Sequence, residues 1–147
     1  MTDTPRRRWM SVLALATPDE IDAAWCQLGE PPLYARVRGP EVGLVMVRAR
    51  AGGTGLRFNI GETTVTRCAV QLGGGALGQA WIRGRDSRHA ERAAVLDALL
   101  QDDGRRPALE AVVIEPLARA REARRRAATA RAAATRVDFF TMVRGED

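Results

Sequence analysis

The sequence predicts an α+β fold, an antiparallel sheet of about four strands flanked by N-terminal helices and a long C-terminal helix. Three observations carry that expectation. Apolar residues recur at helical spacing near the N terminus and again after residue 86, whereas residues 33–83 alternate with a period of two. The links inside the alternating region are short and rich in Gly and Pro. Parallel strands need crossovers of about a dozen residues or more, so short links make the sheet antiparallel. At 147 residues the chain reads as one domain, 1–147, with residues 137–147 as a C-terminal interaction tail. A chain of that size buries roughly 68–70% of its unfolded surface, enough for a core.

Trp9, Val12, Leu13 and Ala16 share one face of a helix over Arg7–Ala16. Thr17-Pro18-Asp19-Glu20 begins a second helix: Thr17 caps, Pro18 suits the first helical position and Glu20 closes a capping box. Gly29 and Pro31-Pro32 stop it near Leu28. Strands follow at Leu33–Arg38, Val42–Arg50, Thr63–Leu72 and Leu77–Arg83. Gly39-Pro40-Glu41, Gly52-Gly53-Thr54-Gly55 and Gly73-Gly74-Gly75 separate them as turns, and Leu56–Ile60 reads as a short extra strand or an ordered loop. Asp86 or Ser87 caps the next helix, which runs to about Gln101 with Ala93, Leu96 and Leu100 on one face. Leu109–Val113 is a short element ahead of Pro116. A last helix spans Leu117–Val137, about 30 Å by rise per residue.

All 23 basic residues are arginine and none is lysine. That absence excludes a Walker-type phosphate loop, a Schiff-base amine and a lysine general base. One His and two Cys, Cys26 and Cys68, are too few and too scattered for a zinc cluster, so no metal site is expected. The two thiols read as reduced, in a cytoplasmic protein. No apolar run of about 18 residues exists to span a membrane. Net charge is +5, and residues 105–136 alone carry nine Arg against three acids. Such a block suits nucleic acid, an acidic partner or a phosphate-bearing ligand. The plainer explanation is an Ala-rich helix from a GC-biased genome that uses Arg for its solvated face.

Several segments are candidates for chemistry. The Gly52–Gly55 loop can bring backbone N–H groups to a phosphate, yet it lacks a following helix and reads as a structural turn. Strand alternation sets Met46, Arg48 and Arg50 on one face; Tyr34, Arg36 and Arg38 alternate likewise, as do Gln79, Trp81 and Arg83, with Arg67 beside them. If these faces coincide, one side of the sheet is apolar and the other is lined by arginine, which suits phosphate or carboxylate; an ordinary solvated face is the alternative. Arg83 and Arg85 flank a helix N terminus able to hold an anion, although Asp86 competes as its cap. The anion-binding candidates are therefore Arg48, Arg50, Arg83 and Arg85. His89 is a weak catalytic candidate, since a lone His on an apolar face is more often a hydrogen-bonded core residue. No catalytic residue is assigned.

Two C-terminal features point to assembly. Ala120, Ala123, Ala127, Ala130 and Ala134 form a 3-4-3-4 seam on a helix otherwise covered in arginine. That seam either packs on the chain's own sheet or docks onto another chain. The tail after it is apolar and β-prone, and left exposed it is an aggregation hazard. Asp138, Phe139, Phe140, Thr141, Met142 and Arg144 are the candidates for a partner interface.

Taken together, several motifs resemble one family. They are Arg8-Trp9-Met10-Ser11-Val12-Leu13-Ala14, the run Gly43–Arg50 through Gly53-Thr54-Gly55, and Thr64-Val65-Thr66-Arg67. Gly84-Arg85-Asp86 with His89-Ala90-Glu91, and Arg136–Gly145, complete the set. The chain resembles the PhnG family, the G subunit of the carbon–phosphorus lyase core complex, over essentially its whole length. Arg57 departs from the pattern, standing where many relatives have Pro, and the long helix has Arg where Lys is often found. The resemblance implies a subunit of α-D-ribose 1-methylphosphonate 5-triphosphate synthase, which joins methylphosphonate to the ribose of ATP and releases adenine. It implies as partners the H, I and J subunits, two copies of each, and functionally the L subunit. ATP is then a substrate of the complex, and no cofactor is expected on this chain. No membrane or nucleic acid is expected as a partner. The alternative from the residues alone is a small basic nucleic-acid-binding module. Its few aromatics are not interleaved with the arginines, as stacking platforms require.

Overall fold

In the computed structural model, which describes residues 4–136, helices α1 (Pro5–Leu15) and α2 (Pro18–Gln27) lead into three strands. These are β1 (Tyr34–Arg50), β2 (Arg57–Leu72) and β3 (Leu77–Arg83), antiparallel in the order β1-β2-β3. Helix α3 (Ser87–Leu100) follows, then α4 (Arg106–Leu109), a π-helical turn over Glu110–Ile114, and α5 (Glu115–Ala134). Local chemistry explains the helix starts. Thr17 and Glu20 form the reciprocal capping box, with Thr17 N donating to Glu20 Oε2 at 2.8 Å. The Asp86 carboxylate accepts from His89 N at 2.9 Å and caps α3.

The α+β class stands, but among the described residues the strands number three where the sequence suggests about four. Two of the expected breaks are not breaks. Gly39-Pro40-Glu41 lies inside β1, where the register against β2 shifts between Arg36 and Arg38 and again between Arg38 and Glu41. β1 is an edge strand, so Pro40, which has no N–H to donate, is tolerated at a bulge there. Leu56–Ile60 is neither a separate strand nor a loop; from Arg57 it is the start of β2. The Gly-rich loop is a hairpin turn, with Gly52 and Gly53 at φ 57° and 81°, a region glycine enters without steric cost. The last helix starts slightly earlier than the sequence suggests, at Glu115, and α4 with the π turn leads into it from Arg106 without a break, the π turn falling just before Pro116. Glu115 N donates to Glu110 O, the i→i−5 pairing of a π turn, directly ahead of Pro116, which has no N–H to donate.

Helix α3 is the centre of the molecule. His89, Ala90 and every residue from Ala93 to Leu100 are buried. One side meets Cys68, Val70, Ala80 and Ile82 of the sheet; α1, α2 and the π turn add Trp9, Val12, Leu13, Ile21, Val113 and Ile114. Each buried Leu or Ile stabilises by roughly 1.5–3 kcal/mol. The approach of α3 to β3 is so close that a Cβ on Gly78 would sit 2.0 Å from Ala94 O. Only glycine fits there.

Among the described residues Asp97 is the one carboxylate inside this core, fully buried in the last turns of α3. It accepts four hydrogen bonds. Arg6 donates through Nε at 3.1 Å and Nη2 at 2.8 Å, Trp9 through Nε1 at 2.9 Å, and the backbone of Gln79 through N at 3.0 Å. One side chain thus joins α1, α3 and β3. Removing it leaves an indole N–H and a backbone N–H without partners, so Asp97→Ala should lower stability by about 3–5 kcal/mol. Gly78→Ala should lower it by about 1–3 kcal/mol through overpacking. Urea unfolding of both variants tests this; midpoints equal to wild type would remove Asp97 and Gly78 as the points that fix α3.

Candidate functional site

The four anion-binding candidates fall in two separate places. Arg48 and Arg50 lie near the tip of the β1–β2 hairpin, where Arg50 pairs with Arg57 in register and donates to Gly55 O at 3.0 Å. Arg83 ends β3 opposite Val65, and Arg85 lies in the loop before α3. Gly43 also opposes Val65, so Arg48 stands five residues further along the hairpin, roughly 17 Å by strand rise. The pairs do not meet.

Nor do the expected arginine faces coincide. Arg36 opposes Val70, a buried residue of the helix-covered side, and its guanidinium reaches Glu91 of α3. After the first bulge Arg38 opposes Ala69, which puts it on the open side with Arg67. There Glu41 Oε2 accepts from Arg38 Nη1 at 3.2 Å and from Arg67 Nε at 3.0 Å. Arg67 also lies over the Trp81 ring at 5.6 Å, a cation–π contact on a tryptophan left 46% exposed. After the second bulge Val42 opposes Thr66, so Val42, Met46, Arg48 and Arg50 continue the helix-side face. Each added residue inverts the alternation downstream. A single arginine-lined side is therefore not built.

His89 is buried, with Nε2 2.8 Å from Leu13 O, and so joins α3 to the end of α1. Cys68 is buried and Cys26 exposed, both as free thiols. Burial pushes the Cys68 thiol up, away from the nucleophilic thiolate. Among the described residues no three His, Cys, Asp or Glu side chains are placed to share a metal. None of the helices described is long and apolar enough to cross a membrane.

A half-buried cluster that no local sequence pattern points to links the sheet to α3. Glu91 Oε1 accepts from Tyr34 Oη at 3.0 Å and Arg36 Nε at 2.6 Å, and Oε2 from Arg36 Nη2 at 3.0 Å. The bidentate Arg36 contact, helped by Tyr34, holds the Glu91 carboxyl below the usual carboxylate range against an opposing effect of burial. Asp22 likewise anchors Arg88 and Arg92, with Arg92 over Trp25 at 5.4 Å, and Glu20 holds Arg124. These three helix carboxylates, together with Glu41 on β1, engage several of the arginines that composition alone leaves unassigned.

The expected Ala seam does not pack on the sheet. Leu117 is the buried residue of α5, and every residue from Arg125 to Arg136 is exposed. The helix leaves the body near Arg124, which donates to Leu15 O at 3.1 Å. The interface candidates Asp138, Phe139, Phe140, Thr141, Met142 and Arg144 lie outside the described residues.

The profile of the family described as phosphonate metabolism protein PhnG matches residues 4–145. A relative from Rhizobium meliloti (strain 1021) is 49% identical over 142 residues, covering 97% of this chain and 90% of its own length. The chain belongs to the PhnG family. That PhnG relative carries the name α-D-ribose 1-methylphosphonate 5-triphosphate synthase subunit PhnG, so the family is one of phosphonate metabolism and of subunits of a synthase. The PhnG match runs through α1, the hairpin, α3 and α5 alike, including the elements that stand away from the core.

The Glu91 cluster makes acid sensitivity predictable in sign. Its folded carboxyl is depressed, so its contribution is present above the unfolded value near about 4.3 and is lost as pH falls through the folded value. Urea midpoints of wild type and Glu91→Gln should therefore differ at pH 7 and converge at about pH 3. A gap unchanged between those two conditions would dismiss Glu91 as the acid-labile contact.

Proposed function

We propose that this chain is a non-autonomous subunit of the carbon–phosphorus lyase system. It works with the H, I and L subunits to form α-D-ribose 1-methylphosphonate 5-triphosphate from ATP and methylphosphonate with release of adenine. The H, I and J subunits are its structural partners, in a soluble cytoplasmic complex. ATP is a substrate of that assembly, and this chain carries no cofactor of its own. The observation that carries the reading is the match across residues 4–145, joined to a relative 49% identical that is named as a subunit of this synthase.

The geometry supports a role inside a complex. The charged half of α5 stands free of the body, and an Ala-lined helix permits close approach by another chain. Residues 137–147, apolar and aromatic, continue from that helix in sequence and are its proposed contact with the I subunit.

Two measurements test the proposal. Co-expressed with the H, I and J subunits, the full chain should co-purify with the I subunit, and a chain lacking residues 137–147 should not. Equal recovery of the two would defeat the tail as an interface. Incubated alone with ATP and methylphosphonate, the isolated chain should release no adenine; robust turnover would overturn the non-autonomous reading.

A further inference from the structure

The three-stranded body of the sheet ends where β3 ends. Beyond the Val65–Arg83 pair, β1 and β2 continue as a two-stranded ribbon, from Leu44 opposite Thr64 to Arg50 opposite Arg57. Such a ribbon is marginal in water by itself. Here both of its faces are apolar. Val42, Leu44 and Met46 are 51%, 63% and 52% exposed on one side, and Phe58, opposite Ala49, is 49% exposed on the other. Ile60 and Leu56 add 56% and 91%. Both ribbon edges also present backbone groups that no third strand pairs. Large apolar side chains exposed at alternate positions of one face, as at Val42, Leu44 and Met46, mark an interaction site.

We propose that residues 42–62 form a docking arm that inserts into an apolar groove bordered by carboxylates on a different polypeptide, another subunit of the same synthase. This rests on the subunit reading above and adds a second, separate surface to it. The charge pattern selects the occupant. The arm holds three arginines, Arg48, Arg50 and Arg57, against one acid, Glu62. Among the described residues Arg48 and Arg57 have no ion-pair partner, and Arg50 uses one nitrogen on Gly55 O. Arg beside exposed apolar side chains is the composition of an interface centre, and its planar fork matches carboxylate. A second copy of the chain fits poorly. Arms laid tip to tip set like charge on like charge. Laid tip to base, they meet Glu41, which Arg38 and Arg67 already hold.

The arm lies outside the core, so its variants should fold. The test co-expresses the full chain with the other synthase subunits, as wild type, as Leu44→Glu with Met46→Glu, and as Arg48→Glu with Arg57→Glu. Each double variant should keep the wild-type urea midpoint as an isolated chain, while its recovery in the complex falls by about tenfold or more. A photo-crosslinking residue at Phe58, in an otherwise unaltered chain, should join to a different subunit. Wild-type recovery of both variants would overturn the proposal and leave the subunit reading intact. So would a crosslink joining two copies of this chain. Failure of the wild-type chain itself to assemble would overturn both.

Discussion

A buried carboxylate is expensive unless its oxygens are fully used, and the arrangement of this molecule depends on how Asp97 meets that requirement. Its two oxygens take donors from α1 and from the backbone of β3, so neither element can shift along α3 without stranding a charge in the core. Apolar packing alone would hold the same layers with less positional definition. The Gly78 contact works with it: absence of a side chain lets α3 lie close on the strand, which is what brings Gln79 N within 3.0 Å of the carboxylate. Arg106 extends the linkage, stacking over Trp9 at 5.4 Å while donating to Leu100 O at 2.8 Å.

With α3 fixed, the remaining architecture divides into a packed body and two projections. The body holds the carboxylate–arginine contacts of Glu91, Asp22 and Glu20, each tying a helix to a neighbour. The projections are the β1–β2 ribbon and the outer half of α5: the ribbon sets Arg48 and Arg57 beside exposed Leu44, Met46 and Phe58, and the helix exposes its arginines with alanine as the one apolar residue type beside them. The chain's arginine is therefore of two kinds. One kind has been neutralised in building the fold, and the other faces outward on elements too slender to be stable for their own sake. Membership of the PhnG family, with a relative named as a synthase subunit, gives the outward kind a context.

Legibility in the sequence followed the range of each interaction. The capping box at Thr17 and Glu20, the Asp86 cap and the glycine turns at Gly52–Gly53 and Gly73–Gly75 were readable because all their partners lie within a few residues. The same held for the buried stripe of α3. Pro40 misled for a definite reason: Gly-Pro-Glu has the composition of a turn, and only pairing with β2 makes it a bulge. The arginine face fails with it, since two added residues in β1 each reverse the plain alternation of the sequence. Asp97 carries a signal, a lone acid in the run Ala93–Leu100, but its side-chain donors lie 88 and 91 residues away and its backbone donor 18, and no periodicity points to them.

The sequence by itself determined the α+β class, the starts of α2 and α3, the apolar stripe of α3, the absence of lysine chemistry and, through its motifs, the family. These are properties of composition and of neighbours a few positions apart. Tertiary structure alone decided which arginines are spent on carboxylates, which face each one occupies, and that the hairpin and α5 leave the body. Those outcomes depend on strand register and on contacts between distant segments, where a single inserted residue reverses the side on which every later one lies.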